Sequence, residues 1–302
     1  MAIEFGMSMN SIDDAAGNAR RLEQLGYDFA GCGEHVSFHV PTSNTFISLG
    51  VAAGATERIK LISAIVLLPL YPAALAAKLA ATLDVASGGR FHMGIGVGGE
   101  MPREFEACGV PVNERGARTN EALALIKRLW SEDKVSFSGR FNTLNDVSID
   151  PKPIQQPLPI WVSGRKDAAI RRAARYAEGW MPYMYTPEML SSSIEKIRVW
   201  AAEAGRPANA VKPSIFAFAT CHEDSDRAYE MAVARLGKQY AQDFSQIAAK
   251  YVIVGSPEQC RARVQEYLDA GAETVFLSSA CPGDYITANE EILAKEVVAA
   301  FR

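Results

Sequence analysis

Histidine and cysteine are scarce in this chain, at four and five of 302 residues. Cys32, Cys108, Cys221, Cys260 and Cys281 stand singly, with no CxxC pair, so no disulfide framework is expected. No two His or Cys residues have a spacing that would make a metal site, and none is expected. An odd number of isolated thiols reads as reduced cytosolic cysteine, packed as small hydrophobes. Surplus positive charge is also missing. Lys and Arg total 31 against 35 Asp and Glu, a formal charge of −4, which leaves no field to hold nucleic acid. The longest uncharged run, 61–77, is interrupted by Pro69, Tyr71 and Pro72 and falls short of the roughly 20 residues a spanning helix needs. Glu4 stands where a signal peptide would carry basic residues. A cytoplasmic protein without membrane association is expected.

What the chain does have is an ordinary globular composition, 48% hydrophobic and 22% charged, and a regular alternation of elements. Short apolar runs at 3–8, 29–33, 60–67, 91–96, 159–163, 179–182, 212–219 and 274–277 read as strands. Amphipathic segments at 11–25, 46–56, 73–86, 113–130, 167–178, 187–204, 225–235, 257–270 and 289–301 read as helices. Nearly continuous apolar strands separated by helices predict a parallel sheet covered on both faces. Eight such units in this length predict one α/β domain over 1–302, a (β/α)8 TIM barrel. Local signals agree: Ser11 with Asp13 and Asp14 opens the first helix and Gly26 closes it, and Ser256-Pro257-Glu258-Gln259 opens a later one. About 60 residues separate strands four and five, far more than the usual 2–6. This insertion holds the helix 113–130 and a hairpin, 135–137 with 141–143, turning at 138–140. A second insertion follows strand seven.

Barrel enzymes place their chemistry at the C-terminal ends of strands. Strand two ends in Gly33-Glu34-His35, where His35 can act as acid, base or donor near neutral pH, with Glu34 beside it. The alternative is a structural pair tying the loop 36–44. His39 on that loop faces a substrate or is solvated. Strand four runs into Gly94-Ile95-Gly96-Val97-Gly98-Gly99-Glu100, which fits a glycine-rich rim against a planar cofactor better than a dinucleotide fingerprint, or is a tight turn. Strand five ends Ser163-Gly164-Arg165-Lys166 with a helix opening at Asp167, an anion site suited to phosphate, or simply a capped helix with solvated cations. Phe38, Trp180, Met181 and Tyr183 form a wall for an apolar substrate or pack the barrel mouth. Asp84 and Arg90 enter strand four from the opposite face and are expected to pair as ions. Lys60 and Lys212 begin their strands, the wrong face for an aldolase or isomerase lysine, which leaves a phosphosugar-type lyase or isomerase a distant alternative.

In their order and spacing these segments resemble the bacterial luciferase-like flavin oxidoreductase superfamily, over nearly the whole chain. The resemblance rests on Leu25-Gly26-Tyr27-Asp28, Glu34-His35, Ala80-Ala81-Thr82-Leu83-Asp84 through Ser87-Gly88-Gly89-Arg90-Phe91, and Gly94-x-Gly96-x-Gly98-Gly99-Glu100. It continues through Glu104-Phe105-Glu106, Gly109-Val110-Pro111, Glu114-Arg115-Gly116, Pro151-Lys152-Pro153, Ser163-Gly164-Arg165, Arg171-Arg172-Ala173-Ala174 and Gly179-Trp180. It implies a (β/α)8 barrel that binds reduced FMN, or its factor-420 deazaflavin analogue, at the C-terminal rim. Residue by residue, it puts His35 beside the ring and Ala64-Ile65 at a bulged, often cis peptide against it. Ser163, Gly164 and Arg165 fall at the cofactor phosphate. Glu100, after Gly98 and Gly99, lies near an acid of the deazaflavin members. Val36 replaces a second histidine common in the luciferase branch and argues against an aldehyde reaction of that type.

The function implied is a monooxygenase using reduced FMN and oxygen on a small organic substrate, with a separate flavin reductase as partner. The alternative is deazaflavin-dependent hydride transfer without oxygen, and a third possibility is a non-catalytic flavin-binding protein. An apolar helix face predicts a homo-oligomer.

Overall fold

The computed structural model describes residues 3–10 and 12–302. Eight parallel strands form the frame: β1 (Glu4–Ser8), β2 (Phe29–Cys32), β3 (Lys60–Ser63), β4 (Phe91–Gly96), β5 (Ile160–Val162), β6 (Gly179–Trp180), β7 (Lys212–Cys221) and β8 (Thr274–Ser279). Each pairs with the next, and β8 pairs with β1, so the sheet closes on itself as the expected (β/α)8 barrel. Two short strands lie outside this ring: Val66–Leu67 pairs with β4, and Ile253–Gly255 pairs with β7.

The helices are α1 (Ala15–Gln24), α2 (Thr45–Ala55), α3 (Ala73–Ala86), α4 (Pro102–Ala107), α5 (Arg115–Ser131), α6 (Asp167–Tyr176), α7 (Pro187–Glu203), α8 (Ser225–Tyr240), α9 (Ala248–Tyr251), α10 (Pro257–Asp269) and α11 (Ile286–Ile292). The β4–β5 insertion carries α4, α5 and an antiparallel hairpin, Val135–Ser138 with Thr143–Val147. The β7–β8 insertion carries α8, α9 and α10. No helix among the described residues is long and apolar enough to cross a membrane.

Several local expectations are corrected. Ser11 lies outside the described residues, and α1 is capped by Asp14, whose carboxylate accepts the Gly17 N–H at 2.8 Å. The last helix is not continuous: after α11 a π turn spans Leu293–Val297 and a 3-10 turn spans Val298–Phe301. The capping box at Ser256 and Gln259 forms as the sequence reads, with Pro257 in the first helical turn.

Asp84 and Arg90 do not pair with each other. The Asp84 carboxylate accepts the backbone and side-chain N–H groups of Gln155, at 3.0 and 2.7 Å. Arg90 instead spreads its donors over Ser87, Ala53, Thr56 and Ile59, four of its five bonds going to backbone carbonyls. The reason is local supply. The end of α2 leaves orphan carbonyls that a planar five-donor fork satisfies together, whereas one carboxylate would use only two donors.

Inside the barrel Phe29, Ile62, Trp161, Met181 and Phe276 pack as one cluster. The Trp161 indole N–H donates to His92 Nδ1 at 3.1 Å. Burial pushes the His92 pKa down to about 3, so the neutral ring is a filler of the interior. At the N-terminal ends of the strands Glu4 pairs with both Lys60, at 2.5 Å, and Lys212. Both lysines are thus engaged at the face away from the C-terminal rim. Burial pulls the Glu4 carboxyl up, but its bonds to the two lysines outweigh this and hold it below its ordinary range.

Arg90→Ala should lower stability by about 2–4 kcal/mol, because charge-assisted bonds to carbonyls are lost and the end of α2 is left unsatisfied. Urea denaturation measures this. Arg90→Lys should recover only a minor part, since one ammonium cannot span α2 and the β3 entry.

Candidate active site

The C-terminal ends of the strands surround a cavity of about 420 Å³, within the usual size of a small-molecule site. Ser8, Cys32, Ala64, Ile65, Gly96, Ser163, Met181, Phe216 and Ser278 line it, so the strands and their exits all contribute. Of the expected site residues, Glu34, His35, Phe38, Ala64, Ile65, Gly98, Glu100, Ser163, Gly164, Arg165, Met181 and Tyr183 also line this cavity. His39 lines a neighbouring outer cavity of about 580 Å³, which shares Phe38, Glu100, Arg165, Tyr183 and Tyr240 with the first.

Two residues lie elsewhere. Trp180 is fully buried, donates its indole N–H to the Gly164 carbonyl at 3.0 Å and meets Tyr185 edge-on. The side chain of a strand residue alternates with its neighbours, and here Met181 takes the cavity side while Trp180 supports the Gly164 turn from behind. Gly99 adopts φ +105 and packs against the Arg115 side chain instead of the cavity.

One wall is set by an interruption in the third strand. After β3 the peptide joining Ala64 to Ile65 is cis, and pairing resumes at Val66 against β4. The neighbouring strands make room for it. A Cβ on Gly33 would lie 2.6 Å from the Ala64 carbonyl oxygen, and one on Gly94 would lie 1.9 Å from the Ser63 carbonyl oxygen. Larger residues at either place would collide with backbone, which cannot step aside.

Glu34 ties this region together. Its buried carboxylate accepts from Leu67 N (3.0 Å), Thr45 N (3.2 Å), Asn44 Nδ2 (3.1 Å) and the Tyr71 hydroxyl (2.9 Å). Burial raises its pKa despite these bonds. With four donors the carboxylate is engaged in holding the strand resumption, the start of α2 and Tyr71 in place.

His35 is held on both sides. Glu104, buried on α4, faces its Nδ1 at 3.2 Å and also accepts the Val36 N–H at 3.1 Å. The Phe38 ring stacks on the imidazole at 4.1 Å and 8°. With Nδ1 against a carboxylate, Nε2 is the ring nitrogen left for a ligand. The sequence alone assigns Glu104 no role at the site. Its only mark there is a place in a short Glu-Phe-Glu run, and nothing local tells which carboxylate of that run turns inward.

At the fifth strand Gly164 adopts φ +117, and a Cβ there would lie 2.7 Å from that of Ala169. The turn into α6 is therefore tight, and no side chain caps the helix. Its first N–H groups, with Arg165 and Lys166 on the cavity, offer an anion a ready seat. Arg165 lies over the Tyr183 ring at 5.0 Å, and the Tyr183 hydroxyl donates to Glu100. Burial, and then the Glu100 charge, raise the Tyr183 pKa, so that hydroxyl keeps its proton. From the β7–β8 insertion Arg235, Gln239 and Tyr240 complete the lining. They sit about 200 residues from His35 in sequence, too far for any local pattern to link them.

Comparison with known proteins agrees with this geometry. Residues 4–274 match the luciferase-like monooxygenase family. The chain belongs to that family. It is 31% identical over 230 residues to an FMNH(2)-dependent dimethylsulfone monooxygenase of Pseudomonas putida, covering 75% of this chain and 60% of that one. It is 28% identical over 262 residues to an F420-dependent glucose-6-phosphate dehydrogenase of Kineococcus radiotolerans, covering 78% and 76%. Uncharacterised mycobacterial relatives are 35% identical over 166 residues, 55% of this chain and 57% of theirs. The matched part thus spans less than two thirds of the first of these curated relatives. Among solved structures the monooxygenase RslO1 of Streptomyces bottropensis superposes with a TM-score of 0.88 at 22% identity, covering 99% of this chain and 100% of that one. Relatives of this family use either FMN or F420.

Glu34→Gln places an amide N–H among donors and should destabilise the fold by about 2–3 kcal/mol, the size of a buried polar group left unsatisfied. The urea midpoint reads this. An unchanged midpoint with lost turnover would instead make Glu34 a proton-transfer group.

Proposed function

We propose that the protein is a monooxygenase using reduced FMN and oxygen on a small organic substrate, in the cytoplasm, with a separate reductase supplying the reduced cofactor. The observation that carries this reading is one cavity lined by the Ser163–Lys166 turn, the Ala64–Ile65 bulge and a His35 ring whose Nδ1 is already engaged. The residues fit a flat, phosphorylated group: the glycine-rich turn before α6 leaves backbone N–H groups and two cations for phosphate, and the bulge offers a surface to a ring. Reduced FMN supplies two electrons to oxygen chemistry at such a site.

The chain's own part is binding, orientation and proton control. Arg165, Lys166, the Ser163 hydroxyl and the backbone at Gly164 hold the phosphate. Ala64 and Ile65 fix the height of the ring, because β2 and β4 close in behind them through Gly33 and Gly94. Phe38, Tyr183 and Tyr240 keep water from the mouth. Glu104 holds Nδ1, so Nε2 of His35 gives or takes the proton at a reacting oxygen. Deazaflavin-dependent hydride transfer is the second reading, favoured by the same His35–Glu104 pair, which serves a substrate hydroxyl equally well. The homo-oligomer expected from an apolar helix face has a surface for it in Ile47 and Val51 of α2, 71% and 47% exposed.

Anaerobic fluorescence titration with reduced FMN and with F420, followed by oxygen uptake, decides the cofactor. Uptake dependent on reduced FMN is the expected result; F420 binding without oxygen consumption replaces the first reading with the second. Arg165→Ala should weaken cofactor binding by about 1.5–3 kcal/mol, the worth of one charge-assisted bond, with little change in turnover at saturation. Unaltered affinity would remove the phosphate assignment. His35→Asn should fold normally and lose roughly 100-fold in single-turnover rate. A lowered melting temperature with a normal rate per bound cofactor would make His35 a loop anchor.

A further inference from the structure

Three cationic side chains line the inner cavity, and two of them are accounted for by the turn into α6. The third, Arg235, comes from α8 in the β7–β8 insertion. It is partly buried and makes no hydrogen bond or ion pair among the described residues. A guanidinium drawn away from bulk water with no partner is costly, and such groups are kept where something pairs with them. The two carboxylates on this cavity are both engaged, Glu34 by four donors and Glu100 by Tyr183. Neutral residues of the same cavity include Gln239 and Tyr240 on the same helix as Arg235, Phe218 on β7, and Ser278 and Ser279 at the end of β8. The Arg235 charge is felt in that wall: burial and Glu100 raise the Tyr240 pKa, and the Gln239 hydrogen bond, then Arg235 and Arg165, pull it back.

We infer that Arg235 is a substrate anchor and that the substrate carries a carboxylate on an apolar, preferably aromatic, body. The planar fork of the guanidinium pairs with a carboxylate through two parallel bonds. Phe216 and Phe218, 5.5 Å apart and edge to face, together with Tyr240 and Phe38, give the body an aromatic surface in the same cavity. The inference rests on the proposed function, which gives Arg165 and Lys166 to the cofactor and leaves Arg235 for the substrate.

Calorimetric titration of the full chain with benzoate and with its neutral analogue benzamide, with and without FMN, tests this. The wild type should bind benzoate at least tenfold more tightly than benzamide, and Arg235→Gln should bring the two within about twofold. Arg235→Lys, which keeps the charge but not the planar fork, should retain only part of the preference, and FMN affinity should be the same in all three proteins. Because Arg235 makes no hydrogen bond or ion pair among the described residues, both variants should melt with the wild type; Arg235→Met replaces the Gln variant if that one does not. Equal binding of the two probes by the wild type, no benzoate binding, or a preference that survives in Arg235→Gln each overturns the anchor. So does loss of FMN affinity in Arg235→Gln with the preference intact, since Arg235 then belongs to the cofactor. If neither FMN nor F420 binds but the benzoate preference depends on Arg235, the anchor stands and the cofactor reading falls.

Discussion

The rim of this barrel is organised around a break in one strand. Where β3 stops, pairing can resume only if the chain is held at its new height, and the Glu34 carboxylate does this by accepting the Leu67 N–H. The same carboxylate fixes the first turn of α2 through Thr45 and Asn44, and the segment just before α3 through Tyr71. One buried group thus sets the relative position of the second strand end, the displaced third strand and the following helix. His35 inherits its place from that arrangement, since it is the next residue.

A buried carboxylate of this kind is favourable only while every donor is present. The surrounding glycines are part of the same constraint. Gly33 and Gly94 flank the break on the two adjacent strands, where any side chain would meet carbonyl oxygen. The glycine-rich run at the end of β4, which in the sequence suggests a cofactor rim, is therefore partly an accommodation to the shape of β3. Gly96, Val97, Gly98 and Glu100 of this run reach the cavity, and Gly94 and Gly99 do not.

The barrel and the position of its rim were legible because they depend on periodicity and on strand ends, both local properties. The helix 73–86 has the expected bounds, and the first and last helices depart from theirs where capping and a change of helical pitch intervene. Side-chain direction was less legible. Trp180 and Met181 are adjacent and both apolar, and only the register of β6 in the closed sheet decides that Trp180 turns away. Partners brought together by closure were invisible: Glu104 behind His35, and Arg235 and Tyr240 across the mouth. The Asp84–Arg90 expectation failed for a related reason. It weighed charge over geometry, whereas the carbonyls at the end of α2 needed more donors than one carboxylate uses.

The stack of Phe38 on His35, with Glu104 behind, ties two loops from different parts of the barrel. Glu104 belongs to the insertion after β4 and bonds to both His35 and the Val36 backbone after β2. These two loops form a single structural unit. A chimera that exchanged the β4–β5 insertion with that of a relative, in order to change specificity, would also have to carry residues 35–44. Otherwise the imported segment would meet a histidine whose partner, Glu104, had been removed with the original insertion.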